Sequence, residues 1–287
     1  MYVLYHKDCP DGFAAWWVFH NHFQGNLKGI PAGYRELPDI STIEPGSQVY
    51  ILDYSPKETA VEALLAINCN VILLDHHDST FTEFHESPLR KHNNFYFLCD
   101  TEYSGAMLAW RFCHGPDSKP PLLVQYVQDY DLWRFKLEES RSINAAIQSY
   151  PFELGVYTDI NTDLSDATGF YELAAAGEGI ERKLEKMSDS IIRSTERWIV
   201  IDGHRVPIVN APYELASKVA TKLSEIYKDA ALFAASYFDS TDGRRVYNLR
   251  TVHDDFKTND VAAKFGGGGH PKASAFSVGN DSYLRSI

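Results

Sequence analysis

The sequence predicts an α/β protein in two parts: a parallel sheet covered on both faces by helices, then a smaller α/β region reached through a helical linker. Three observations predict it. Short apolar runs recur through the first half, each followed by a helix-like pattern, which is how strands buried on both faces read. The 287 residues exceed one ordinary core, for which about 100–200 residues suffice. At Trp198 the texture changes: RWIVIDGHRVPIVNA carries two β-rich runs around Asp202-Gly203, a hairpin signal.

In order, YVLYH is the first strand. GFAAWWVFHNHF follows, with Phe13, Trp16, Trp17 and His20 at spacings of three and four, the stripe of a helix packed on a sheet. SQVYILD is the next strand. SPKETAVEALLAI predicts a helix with Ser55 as N-cap, Pro56 at the first helical position and Glu58 closing a capping box. NVILLD and NFYFLCD are two more strands, SGAMLAWRFC opens a helix, HGPDSKPP is a loop, and PLLVQYVQDYDLWRF is mostly helical. Residues 153–198 read as increasingly polar helix. After the hairpin come a helix (Glu214–Lys228), strands in AALFAASYF and RRVYNLRT, and a last helix running into a glycine run. The expected domains are 1–180 and 199–287, with 181–198 as the linker.

Composition narrows the class. Apolar residues make up 44% of the chain, enough for packed cores. No run approaches the roughly 20 apolar residues of a membrane span. The N-terminal MYVLYHKDCP lacks a basic region before an apolar one, so no signal peptide is expected. Cys9, Cys69, Cys99 and Cys113 are scattered, without CxxC or zinc spacing, and predict reduced thiols of a cytoplasmic protein. The net charge of −12 is uneven: residues 199–287 hold 11 Lys and Arg against 10 Asp and Glu, leaving 16 against 29 in residues 1–198. An acidic first part repels long nucleic acid unless cations intervene.

Three polar clusters fall at the expected C-terminal ends of apolar strands: His6-Lys7-Asp8-Cys9-Pro10-Asp11, Asp53 after Ile51-Leu52, and Asp75-His76-His77-Asp78. In an open parallel sheet those ends share one side, where ligands bind. Asp carboxylates with neutral imidazoles suit Mn²⁺, Mg²⁺ and similar ions. So many carboxylates together require cations to offset their repulsion, and two ions bridged by a shared carboxylate fit the count. Taken singly, each cluster has an ordinary explanation as a cap, a turn or an exposed pair; their recurrence at equivalent positions is what points to function. Cys9 is disfavoured as a nucleophile, because its sequence neighbours are carboxylates, which raise a thiol pKa. The stretch FGGGGHPKASAF adds Gly266, Gly267, Gly268 and Gly269, with His270 and Lys272. Consecutive glycines let backbone approach a ligand and offer N–H groups to an anion. Arg250, in YNLRT, is placed to add a bidentate phosphate grip.

With these residues in view, the chain resembles the DHH phosphoesterase family, named for the triplet at Asp75-His76-His77. The likeness covers the whole chain and is closest to the nano-RNase-like branch with a DHH-associated C-terminal domain. His6 to Gly12 resembles the first motif, Asp53 the second, LLDHHDS the third, and QDYDLW supplies Asp131 or Asp129 for the fourth, with Asp131 favoured. GGGGHPKASAF resembles the glycine-rich motif of the C-terminal domain. The resemblance implies a Rossmann-like metal domain and a substrate domain facing each other over a cleft. It implies two divalent cations, Mn²⁺ first, with Mg²⁺ or Co²⁺ as alternatives. One would take His6, Asp8 or Asp11, and Asp53; the other Asp11 or Asp8, Asp53, His76 and Asp131. Asp53 would bridge, and His77 would touch the scissile phosphate. Asp75 and Asp129 would serve as outer supports or further ligands. Arg250, Gly266–Gly269, His270 and Lys272 would hold a substrate phosphate. The ions would activate a water to attack phosphorus in line.

Within such a family, the length and charge disfavour the long-strand exonucleases, and the missing spans disfavour the membrane-bound members. The expected activity is hydrolysis of short oligonucleotides or linear dinucleotides to mononucleotides, with no long nucleic acid and no membrane as partner. A polyphosphatase, or a nucleotide sensor with little turnover, are the alternatives. Tyr237, Phe238 and Tyr247 are candidates to stack a base, against the plainer expectation that most are core. The sequence leaves the oligomeric state open, a homodimer included.

Overall fold

The computed structural model describes residues 1–33 and 40–279. The end of the expected C-terminal domain, 280–287, lies outside the described residues. The chain forms two compact units, Met1–Glu181 and Arg182–Ile287.

The first unit runs β1 (Tyr2–His6), α1 (Pro10–His22), β2 (Lys28–Ala32), β3 (Gln48–Leu52), α2 (Glu58–Ala66), β4 (Asn70–Asp75), α3 (Asp78–Phe84), β5 (Phe95–Cys99), α4 (Gly105–His114), α5 (Leu122–Asp131), α6 (Ser140–Ser149), α7 (Leu154–Ser165) and the start of α8 (Ala167–Thr195). All five strands are parallel, in the order β2-β1-β3-β4-β5. The predicted α/β class and covered parallel sheet are thus found. One face packs Val3, Tyr50, Leu52 and Leu74 against α1, α4, α5, α6 and α7. The other packs Leu4, Val49, Ile51, Val71 and Leu73 against α2 and Phe84 of α3. Successive strand residues alternate between these two cores, which is why the strands read as unbroken apolar runs.

Two local expectations are corrected. α2 begins at Glu58 with Lys57 at its N-cap, not at Ser55. Asp53 leaves β3 in the left-handed region (φ 53°), Tyr54 and Ser55 are buried in an irregular turn, and Glu83 accepts the Glu58 N–H that a capping box would have served. β2 lies in a stretch with no element expected from the sequence; a proline strand fits at a sheet edge, and β2 is an edge.

The second unit holds the end of α8, then β6 (Arg197–Ile201), β7 (His204–Asn210), α9 (Tyr213–Ile226), β8 (Ala234–Asp239), β9 (Arg245–Arg250), α10 (Thr258–Lys264), β10 (Gly268–His270) and β11 (Ala273–Val278). The sheet order is β10-β11-β9-β8-β7-β6. The Asp202-Gly203 turn forms with both residues at positive φ, as a two-residue hairpin between right-twisted strands requires. α10 packs on one face with Tyr247, Leu249 and Phe276, and α9 on the other with Val209 and Ala234. Tyr247, a candidate for base stacking, is a core residue, 1% exposed. Among the described residues no helix is long and apolar enough to cross a membrane.

Candidate active site

The neighbouring strands β1, β3 and β4 all end on one edge of the parallel sheet, at the point where strand order reverses between β1 and β3. That is the crevice where open α/β sheets bind ligands. His6 ends β1, Asp53 follows β3, and His76 follows β4. Asp11 comes from the first turn of α1 and Asp131 from the last residue of α5. His76 Nε2 lies 3.1 Å from Asp53 Oδ1, 3.5 Å from Asp131 Oδ2 and 3.8 Å from Asp11 Oδ2. His6 Nδ1 lies 3.6 Å from Asp53 Oδ2.

Potential ligand atoms group as His6, Cys9 and Asp53, and as Asp11, His76 and Asp131, with Asp53 also grouped with Asp75, His76 and His77. The site thus has two halves with Asp53 between them. Asp11, Asp53 and His76 are each at most 2% exposed. Burial, then Asp53 and Asp131, push the Asp11 carboxyl well up. Burial would also raise Asp53, yet His6 and His76 hold it well below the usual range. His76 is raised despite burial, by Asp53 and Asp131. The buried His6 Nδ1 has no hydrogen-bond partner. Buried carboxylates and imidazoles converging on one place fit divalent ions.

The local frame explains the placement. Asp11 accepts N–H groups from Gly105 (2.6 Å) and Ala106 (3.0 Å) at the N-terminus of α4, where helix geometry favours a carboxylate. Gly105 is required there, since a Cβ would overlap the Asp53 side chain. Gly12 is required likewise, because a Cβ would overlap His6.

His77 stands beside His76, ring centroids 4.5 Å apart. Its Nδ1 donates to Asp75 Oδ1 at 2.7 Å, which fixes the tautomer and the ring. Burial lowers its pKa, but Asp75 more than offsets this and the net shift is upward. Asp75 also accepts the His76 N–H and the Thr80 hydroxyl, so both its oxygens serve protein donors.

The structure places one candidate ligand, Asp8, and one candidate outer support, Asp129, apart from these groups. Asp8 is exposed, sits at φ 54° in the turn after β1, and is absent from the convergent groups. Asp129 accepts the backbone N–H groups of Lys136 and Leu137 and so closes the turn after α5; it is outside the groups, whereas Asp131 is in one. Cys9, Gly105 and Thr80 were not singled out for the site by their sequence. Cys9 sits in a motif already quoted, and Gly105 follows the N-cap Ser104, which was the available signal.

In the second unit, Arg250 of β9 and His270 of β10 both lie opposite Ala273 of β11. Directly opposed antiparallel residues project to one face, so the two side chains flank a methyl group. Arg250 donates to Ser217 Oγ (2.8 Å) and to the Leu249 carbonyl; burial lowers it to about 10, which leaves it charged at neutral pH. Asn248 lies two residues along on the same face, and its Nδ2 is buried without a partner, a feature no sequence pattern signalled.

The glycine run is not an open anion loop. The Gly266 and Gly267 N–H groups bond to Ala263 and Ala262 carbonyls, a Schellman stop for α10. A Cβ on Gly267 would overlap the Ala275 carbonyl. Gly268 and Gly269 belong to β10, the outer strand of the sheet. Lys272 pairs with the exposed Asp254 and is thereby drawn from the Arg250–His270 row.

No protein-family model matches the chain. Over 288 residues it is 24% identical to uncharacterized protein R106 of Acanthamoeba polyphaga mimivirus, covering 95% of this chain and 66% of that protein. Over 169 residues it is 27% identical to oligoribonuclease NrnB of Bacillus subtilis, covering 56% and 40%. The chain therefore spans less than two thirds of the length of these curated relatives. Its fold is shared with a pGpG-specific phosphodiesterase, PggH, of Vibrio cholerae (TM-score 0.51, 13% identity, 98% of this chain and 94% of that one). It is shared also with RecJ of Thermus thermophilus in complex with Mn²⁺ (TM-score 0.52, 14% identity, 98% and 49%).

Proposed function

We propose that this chain, which has the two-domain fold and the sequence motifs of the DHH phosphoesterases, is a divalent-metal-dependent phosphodiesterase that hydrolyses short oligonucleotides or linear dinucleotides to mononucleotides. The observation that carries this is the convergence of His6, Asp11, Asp53, His76 and Asp131 at one edge of the parallel sheet. The resident group would be two divalent cations, Mn²⁺ first and Mg²⁺ or Co²⁺ next, which supply Lewis acidity toward a phosphoryl oxygen and an acidified water. His6 and Asp53 would hold one, and Asp11, His76 and Asp131 the other.

The chain's own residues do the rest. Asp53 lies between the halves and ties them together. His77, its Nδ1–H held by Asp75, would act on a phosphate oxygen or give a proton to the leaving group. The α4 N-terminus fixes Asp11. In the second unit Arg250, His270 and Asn248 form a donor row suited to one phosphate and a neighbouring polar group. A row of that size suits a short substrate. The names of NrnB, an oligoribonuclease, and PggH, a pGpG phosphodiesterase, support nucleotides as the substrate class.

The test is product analysis with a linear dinucleotide, a five-residue oligonucleotide, a cyclic dinucleotide and polyphosphate, with Mn²⁺ or with chelator. Metal-dependent mononucleotide from the first two, lost in Asp53→Ala, is expected. Orthophosphate from polyphosphate alone makes the chain a polyphosphatase, and bound nucleotide without product makes it a sensor.

A further inference from the structure

The two halves of the cluster are chemically unequal. Asp11, His76 and Asp131 form a set of two carboxylates and an imidazole. The other half has His6 and one oxygen of Asp53, and its third ligand was expected to be a carboxylate. Asp8 does not supply it, being exposed in the turn, and Asp11 is committed to the α4 N-terminus and the His76 half. The side chain that does enter is Cys9, whose sulfur lies 3.6 Å from Asp53 Oδ2 and groups with His6 and Asp53.

Two further observations point to a ligand at this place. His6 Nδ1, 3.6 Å from Asp53 Oδ2, is buried without a hydrogen-bond partner. Tyr157, whose ring packs edge-on to Phe13 of α1, is fully buried with its hydroxyl unpartnered. A thiol placed only to fill space has no need of this company of unsatisfied polar atoms.

We infer that Cys9 is a metal ligand: its sulfur, as thiolate, completes the His6–Asp53 half, so that Mn²⁺ ranks first for the Asp11–His76–Asp131 half alone and the thiolate half prefers a borderline ion such as Zn²⁺, Co²⁺ or Fe²⁺. Soft thiolate ligands select such ions, whereas carboxylate and water suit Mg²⁺ and Mn²⁺. As the ion binds, the sulfur–metal bond forms, the S–H bond breaks and the proton passes to solvent, with no change in oxidation state. The molecule would carry two unlike centres, one thiolate-bound and one carboxylate–imidazole. The inference rests on the cluster being a metal site, and adds which atom completes it.

Cobalt titration of the chelator-stripped full chain, under reducing and oxygen-free conditions, tests it without reference to turnover. A thiolate-to-cobalt charge-transfer band in the near ultraviolet is expected to rise and saturate at one equivalent. It is expected to be lost in Cys9→Asp, which keeps an ion ligand, and kept in a variant with Cys69→Ala, Cys99→Ser and Cys113→Ser. The last variant decides the matter on its own should Cys9→Asp fail to fold. Cobalt uptake seen only as ligand-field bands, or a charge-transfer band undiminished in Cys9→Asp, overturns the thiolate ligand and leaves the two-ion site standing. No cobalt uptake at all overturns both.

Discussion

The cluster at the parallel-sheet edge and the donor row of the second sheet are built on opposite plans. In the first unit each polar residue follows its own apolar strand, and chain topology brings the ends together: His6, Asp53 and His76 come from three adjacent parallel strands. In the second, Arg250 and His270 meet only through the register of β9 and β10 on β11. The first plan buries carboxylates and asks for cations. The second arranges cationic and amide donors and asks for an anion. Under the proposed function the two units would take different shares of the work, ion chemistry on one and substrate capture on the other.

The strongest way to break that division is at Asp53. Asp53→Ala should lower kcat by about 10²–10³-fold or more, measured on a dinucleotide, with KM little changed. Arg250→Ala should do the reverse. A charge-assisted contact to phosphate is worth about 1.5–3 kcal/mol, so KM should rise roughly 10–100-fold while kcat holds. A kcat loss in Arg250→Ala matching that of Asp53→Ala contradicts the division.

Asp75→Asn sharpens the role of His77. Asp75 raises the His77 pKa above 6.5, so the imidazolium survives to higher pH than usual. The stability this pair gives is full below 6.5 and is lost as pH rises through the raised value. Asp75→Asn should shift the alkaline limb of the rate profile to lower pH and cut activity about 10–100-fold. An unmoved limb removes His77 from the proton chemistry.

The paired glycines are a finer probe. A Cβ on Gly105 meets Asp53, and one on Gly267 meets the Ala275 carbonyl. Overpacking of this kind costs about 1–3 kcal/mol. Gly105→Ala should weaken metal uptake, read by titration, while Gly267→Ala should raise KM and leave uptake intact. The smallest effect is expected at Lys272, which pairs with Asp254 on the surface: Lys272→Ala should leave KM within about twofold.

How much of this was legible follows from the same contrast. Strand-end residues announce themselves, because a polar triplet behind an apolar run survives in one dimension. His6, Asp11, Asp53 and His76 could be read that way, whereas Asp131, at the end of a helix, came only from the family resemblance. Asp8 and Cys9 could not be told apart, since one left-handed residue at φ 54° decides which side chain turns inward. Asp129 and Asp131 differ only by the helix end between them and the turn that Asp129 closes. The glycine run reads as an anion-binding backbone because a Schellman stop and an edge strand share its composition. The Arg250–His270 row and the unsatisfied Asn248 depend on pairing register, which no local pattern encodes.

The claim beneath all of this is that the strand-end cluster holds two divalent ions. The direct measurement is elemental analysis of the chain after equilibrium dialysis against Co²⁺, for wild type and Asp53→Ala. Two ions per wild-type chain, falling to one or none in the variant, is the predicted result. One ion or fewer in the wild type, or two in both proteins, contradicts it.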